Sequence, residues 1–120
     1  MEDISFKIIV ADSSHKSYST QITDEMENSA KARGTGIAKR SPAYIETKMD
    51  EGKAVIALTS DGVWAGFCYI EAWGHGKYVA NSGLIVSPQF RKYGLARKIK
   101  QEVFKLSRKK YPDSKIFGLT

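Results

Sequence analysis

The chain has 120 residues, enough for one domain and one modest core. Hydrophobic residues make up 42% and charged residues 27%, there is no apolar run of membrane-spanning length, and the single cysteine, Cys68, excludes an intrachain disulfide. The formal net charge of +6 asks for an anionic partner, with nucleic acid and a polyphosphate cofactor as the two candidates, and the start Met1-Glu2-Asp3-Ile4 lacks a basic, then apolar leader, so a cytoplasmic protein with no membrane contact is expected.

Residues 4–10 alternate loosely and end in Asp12-Ser13-Ser14, which predicts a first strand and a turn. Over 17–31, Tyr18, Ile22, Met26 and Ala30 recur every four residues and predict one helical stripe. Residues 32–40 (ARGTGIAKR) form a cationic loop with two glycines. Ser41 then reads as an N-cap with Pro42 at the first helical position, and Gly52 ends that helix. A strand at 54–58, a turn at Asp61-Gly62 and an aromatic-rich strand at 63–73 predict a hairpin. A second turn at Gly74-His75-Gly76 leads to a strand at 78–86, stopped by Pro88. Residues 95–110 give the clearest helix, with Leu95, Ile99, Val103 and Leu106 on one side and cations elsewhere. Pro112-Asp113 breaks it, and 115–119 starts a last strand. The order β-α-α-β-β-β-α-β is α+β, or mixed α/β, with a mostly antiparallel sheet. The last two strands flank a helix and so form a parallel pair.

Chemistry concentrates at 84–99, LIVSPQFRKYGLARKI. A strand enters a short loop and a helix opens at once. Helix N-termini present unpaired N–H groups and partial positive charge. Gly94 and Ala96 leave that backbone uncovered, and Arg91, Lys92, Arg97 and Lys98 add charge, so a pyrophosphate is the expected guest. There is no Gly-x-Gly-x-x-Gly and no Gly-Lys-Ser/Thr, which disfavours Rossmann and P-loop readings. Lys105, Lys109 and Lys110 lie far from this turn and read as a solvated face.

Arg91, Gly94 and Ala96 match the pattern Gln/Arg-x-x-Gly-x-Gly/Ala, after Val86-Ser87-Pro88 and before an amphipathic helix. This resembles the acetyl-CoA motif of the GNAT superfamily of N-acyltransferases. The resemblance covers one domain, 1–120, with its best motifs from Val55 onward. It implies a strand splayed from its parallel neighbour, with Leu84, Ile85 and Val86 offering backbone groups to pantetheine, and with Arg91, Lys92, Tyr93, Gly94, Leu95, Ala96 and Arg97 holding the phosphates. It implies acetyl-CoA as co-substrate and transfer of the acyl group to a primary amine. One amide of the splayed strand would take the oxyanion role. The segments KARGTGIAKR, FCYIEAWG and NSGLIV are similar to a bacterial N-acetylglutamate synthase-like group of arginine biosynthesis. That implies glutamate as the acceptor, with acetyl or succinyl as the acyl group.

Arg33, Lys39 and Arg40 supply cations for an acidic acceptor. The amine must lose a proton, and Glu71 is the expected base. A hairpin turning at His75 sets Glu71 and Asn81 on one face as diagonal neighbours, with His75 as a lesser relay candidate. Cys68, mid-strand, reads as a structural thiol. Two histidines and one cysteine give no metal spacing. The competing class is a basic nucleic-acid-binding module with Tyr69, Tyr78 and Trp73 stacking bases, for which no signature is present. Full GNAT domains continue past the last strand with a helix and two strands, so a truncated or catalytically inactive acyl-CoA-binding domain is a further reading. An uncovered edge at Ile116, Phe117 and Leu119 predicts a homodimer through the C-terminal strand.

Overall fold

Five strands and three helices carry the chain in a computed structural model that describes residues 4–32, 34 and 40–118. Strand β1 (Phe6–Val10) is followed by a 3-10 turn (Ser13–Tyr18) and helix α1 (Ser19–Ala32). The 3-10 turn is new relative to the periodic reading. Asp12 accepts from the Ser14 amide while the Asp12 amide donates to His15 Nδ1, and this reciprocal cap holds the entry tight. Helix α2 (Pro42–Asp50) starts as expected: Ser41 Oγ accepts from the Tyr44 amide at 3.1 Å and Pro42 occupies the first turn.

Strands β2 (Ala54–Thr59), β3 (Trp64–Trp73) and β4 (Tyr78–Val86) form an antiparallel meander. A second 3-10 turn (Pro88–Tyr93) leads into α3 (Leu95–Lys110), and β5 (Lys115–Gly118) pairs parallel to β4. The sheet order is β1-β2-β3-β4-β5. β2 is buried along its whole length, because both sheet faces are covered at the centre.

The alternation of β3 sorts two cores. Ile56, Trp64, Phe67, Tyr69 and Ile85 pack with Ile22, Ile45 and Met49 of α1 and α2. Val55, Ala65, Cys68, Ile70 and Val79 pack with Leu95, Ile99, Val103 and Leu106, the predicted stripe of α3. Each of these large apolar side chains contributes about 2 kcal/mol of transfer free energy.

The register of β3 on β4 slips once. Phe67 faces Ile85 and Tyr69 faces Ser82, so two steps on β3 span three on β4. Gly83 sits in this bulge at φ 66°. A Cβ there would lie 2.2 Å from Tyr69 Cε1 and 3.2 Å from the Met26 methyl of α1, so only glycine fits.

Candidate active site

Two features lie at opposite ends of β4's free flank. β5 pairs with β4 from Tyr78↔Lys115 to Asn81↔Gly118. Past Asn81, the stretch holding Leu84, Ile85 and Val86 has β3 on one side and no strand partner on the other among the described residues. The side chains of Leu84 and Val86 pack toward α3 and Ile85 packs toward α1 and α2, which leaves backbone as their contribution to the open flank.

At the far end, Gly94 takes φ 71°, ψ 21° and caps α3 with no side-chain hydrogen bond. A Cβ on Gly94 would meet nothing within 4 Å. The first amides of α3 have no intrahelical partner and face this open space, which suits a phosphate group. The surrounding side chains divide. Lys92, Ala96 and Arg97 are exposed beside the turn, whereas Leu95 is buried and offers only its amide. Tyr93 packs edge-on against Phe6, with ring centroids 5.4 Å apart. Arg91 is engaged structurally. Its guanidinium bonds Glu25 Oε2 of α1 at 3.2 Å and the Val86 carbonyl at 3.3 Å, tying the turn to α1 and to the end of β4. No group of three metal-ligating side chains occurs among the described residues, and none of their helices is long and apolar enough to cross a membrane.

The second feature is a polar cluster on the α1/α2 face of the sheet. Tyr69 borders the bulge, and its hydroxyl accepts from Arg40 Nε at 3.1 Å. Arg40 also lies over the Tyr44 ring, 5.1 Å from its centroid. Lys48, buried on α2, places its ammonium 5.5 Å and 5.7 Å from the Tyr44 and Tyr69 centroids. That ammonium donates to the Ile70 carbonyl at 2.8 Å and to Glu71 Oε2 at 3.3 Å. Burial raises the Glu71 pKa, with Arg40 opposing. Burial lowers that of Lys48, helped by Lys53 and Arg40 and opposed by Glu51. The short contact between Lys48 and Glu71 favours both charged forms. Desolvation of both groups works against that preference.

Glu71 and Asn81 are not neighbours, which corrects the sequence expectation. The turn spans four residues, with Trp73 opposite Tyr78 rather than a pivot at His75. Glu71 therefore faces Ala80, and Asn81 faces Ile70 on the other side of the sheet. Asn81 Oδ1 accepts from Ser107 Oγ of α3 at 2.8 Å in a buried pair. His75 stands exposed at the turn with φ 56°, away from this cluster. Arg33 and Lys39 lie outside the described residues. Tyr69 is 2% exposed, so it cannot stack bases with Tyr78 and Trp73. Those two rings instead stack with each other and with Phe117 of β5. Ile116 packs toward α3, while Phe117 is exposed on the β5 edge. Cys68 is buried, donates to the Ser82 carbonyl at 3.2 Å, and has its pKa pushed up to about 12 by burial, so it stays a thiol.

Lys48 is the residue that sequence reasoning missed. Its signal was present: it follows Tyr44 by four residues, on the side of α2 that also carries Ile45 and Met49.

Residues 23–117 match the acetyltransferase (GNAT) family. No curated protein is a significant match. Among solved structures, the fold is similar to that of N-acetylglutamate synthase from Neisseria gonorrhoeae with coenzyme A and N-acetyl-glutamate. The identity there is 19%, the TM-score is 0.75, and 99% of this chain is covered. The chain spans 26% of that synthase. It is also similar to a diaminobutyrate acetyltransferase from Paenibacillus lautus with L-2,4-diaminobutyric acid and coenzyme A (12% identity, TM-score 0.66), over 85% of this chain and 58% of that one. A GNAT-family acetyltransferase from Staphylococcus aureus aligns over 97% of this chain and 73% of its own, at 15% identity and a TM-score of 0.71. The family match takes in most of the chain, from α1 to β5, and the chain belongs to the GNAT acetyltransferase family.

Proposed function

We propose that this domain transfers the acetyl group of acetyl-CoA to the α-amine of an acidic amino acid, glutamate or a close relative, as in a step of arginine biosynthesis. The observation that carries this reading is the cluster beside the β4 bulge: Arg40, on the Tyr69 hydroxyl, as the cation for an acidic acceptor, and Glu71, paired with Lys48, as the carboxylate for its proton. The gonococcal synthase, with its bound N-acetyl-glutamate, lends support as a relative in fold.

Acetyl-CoA supplies the thioester that the amine attacks. The chain's own residues do the rest. The amides opening α3 at Gly94 hold the phosphates, with Lys92 and Arg97 beside them. The open flank of β4 at Leu84, Ile85 and Val86 takes the pantetheine, and an amide near the bulge polarises the carbonyl. Glu71 accepts the ammonium proton. It faces Ala80, three residues from Gly83 and so about 10 Å along the strand, a separation that calls for proton relay through water in this reading.

Arg40→Ala tests the acceptor assignment. Loss of a charge-assisted contact should raise the KM for glutamate roughly tenfold to a hundredfold while the KM for acetyl-CoA stays put. An unchanged glutamate KM removes Arg40 from the acceptor site.

A further inference from the structure

The junction between α2 and β3 carries an observation that the transfer reaction does not by itself explain. Ile70 donates its amide to the Lys53 carbonyl at 2.8 Å, the start of an ordinary antiparallel exchange. The return bond is missing, because the Lys53 amide turns back to cap the Lys48 carbonyl of α2 at 2.9 Å. The Ile70 carbonyl is thereby orphaned, and the Lys48 ammonium takes it at 2.8 Å. One donor satisfies that carbonyl. An ammonium has three, and a second reaches Glu71 Oε2, the side chain one residue further along β3.

We propose that Lys48 is a positioning residue for the acyl-transfer step: anchored on the Ile70 carbonyl, its ammonium fixes the Glu71 carboxylate on the acceptor face of β3. The inference rests on Glu71 being the base. The geometry gives it content. Lys48 has 11% of its side chain exposed and lies between the Tyr44 and Tyr69 rings, so it has little freedom to swing away. Glu71 has 32% exposed, so one side is held and the other stays open to a water or an amine. Among the described residues, the charged groups around this pair are Arg40 before α2, and Glu51 and Lys53 after it; Ala80 of β4, directly opposite Glu71, brings no charge. Among the described cations, Lys48 is the one bonded to the carboxylate.

A mere cap on Ile70 and a positioning role give different readouts. Lys48→Gln keeps an N–H donor for the carbonyl and removes the charge, Lys48→Arg keeps both, and Lys48→Met removes both. With glutamate and acetyl-CoA, the Gln and Met variants should lose roughly tenfold to a hundredfold in kcat, with little change in the KM for acetyl-CoA. The acid limb of their pH–rate profile should move to higher pH, because the carboxylate has lost its nearest cation. Lys48→Arg should restore both. In a Glu71→Gln background, Lys48→Gln should cost little more, since the two act as a unit. If Lys48→Gln leaves the acid limb in place and multiplies the loss from Glu71→Gln, Lys48 is a structural cap and the proposal fails while the base assignment stands. If Glu71→Gln leaves rate and pH profile unchanged, both fail. Should Lys48→Met not fold, the Gln and Arg variants still decide the matter.

Discussion

Replacing Gly83 by alanine should damage this protein far more than one methyl group suggests. At φ 66° a residue with a Cβ costs about 1–2 kcal/mol in backbone strain. The new Cβ would also stand 2.2 Å from Tyr69 Cε1 and 2.7 Å from Cδ1. Tyr69 has nowhere to go. It is 2% exposed, packs edge-on against Tyr44 at 5.7 Å, and accepts from Arg40 Nε. Overpacking of this kind costs about 1–3 kcal/mol. Together the terms give roughly 2–5 kcal/mol, or a fall in melting temperature of about 10–20 °C for a chain of this length. Thermal and urea melts measure it. A companion variant, Tyr69→Ala, is destabilising alone but removes the clashing ring, so the Gly83→Ala/Tyr69→Ala pair should melt well above the sum of the two losses. A Gly83→Ala protein melting within about 3 °C of the parent would refute the bulge geometry, since even the backbone strain alone predicts more.

Gly94→Val meets no clash, but at φ 71° it carries about 1–2 kcal/mol of backbone strain, so its melt is measured alongside; in the folded variant calorimetry should show CoA affinity falling at least tenfold, and normal binding would remove the α3 turn as the phosphate site. Glu71→Gln should lower the rate of the chemical step by about a hundredfold or more while sparing CoA affinity. In the parent protein, burial raises the Glu71 pKa, and a base must be deprotonated to work. Activity should therefore fall as pH drops through that raised value, and a rate flat into the acid range of ordinary carboxylates would contradict it. Cys68 should resist maleimide in the native state at neutral pH and react once the chain is unfolded; rapid native labelling would contradict its burial.

Much of the architecture was legible because local signals agreed with burial. The stripe Leu95, Ile99, Val103 and Leu106 is the face α3 buries, and Ser41-Pro42 caps α2 as its chemistry demands. The helix-linked last strands pair in parallel, as the crossover rule requires. The site was harder to read, since a single residue of register decides it. A pivot at His75 and a four-residue turn differ by one step, and that step carries Asn81 from beside Glu71 to the α3 interface with Ser107. Lone glycines in strand patterns hint at bulges, but nothing in the local sequence of Gly83 names Tyr69 as the ring it must admit. Arg91 sits at the motif's phosphate position, and its pairing with Glu25, 66 residues away in sequence, lies beyond any local pattern. For Lys48, the helical spacing marked the side it occupies, but its partners, supplied by β3, lie beyond the local sequence.

The central claim is that the polar cluster beside the β4 bulge receives an acidic amino acid for acetylation. Thiol release from acetyl-CoA, followed across glutamate, glutamine, diaminobutyrate and a simple alkylamine, with the acetylated product identified by mass, tests it most directly. Arg40 at the acceptor site predicts kcat/KM highest for glutamate, at least tenfold above glutamine, and a product acetylated on the α-amine. Equal rates for glutamate and the alkylamine, or a preference for diaminobutyrate, would contradict it.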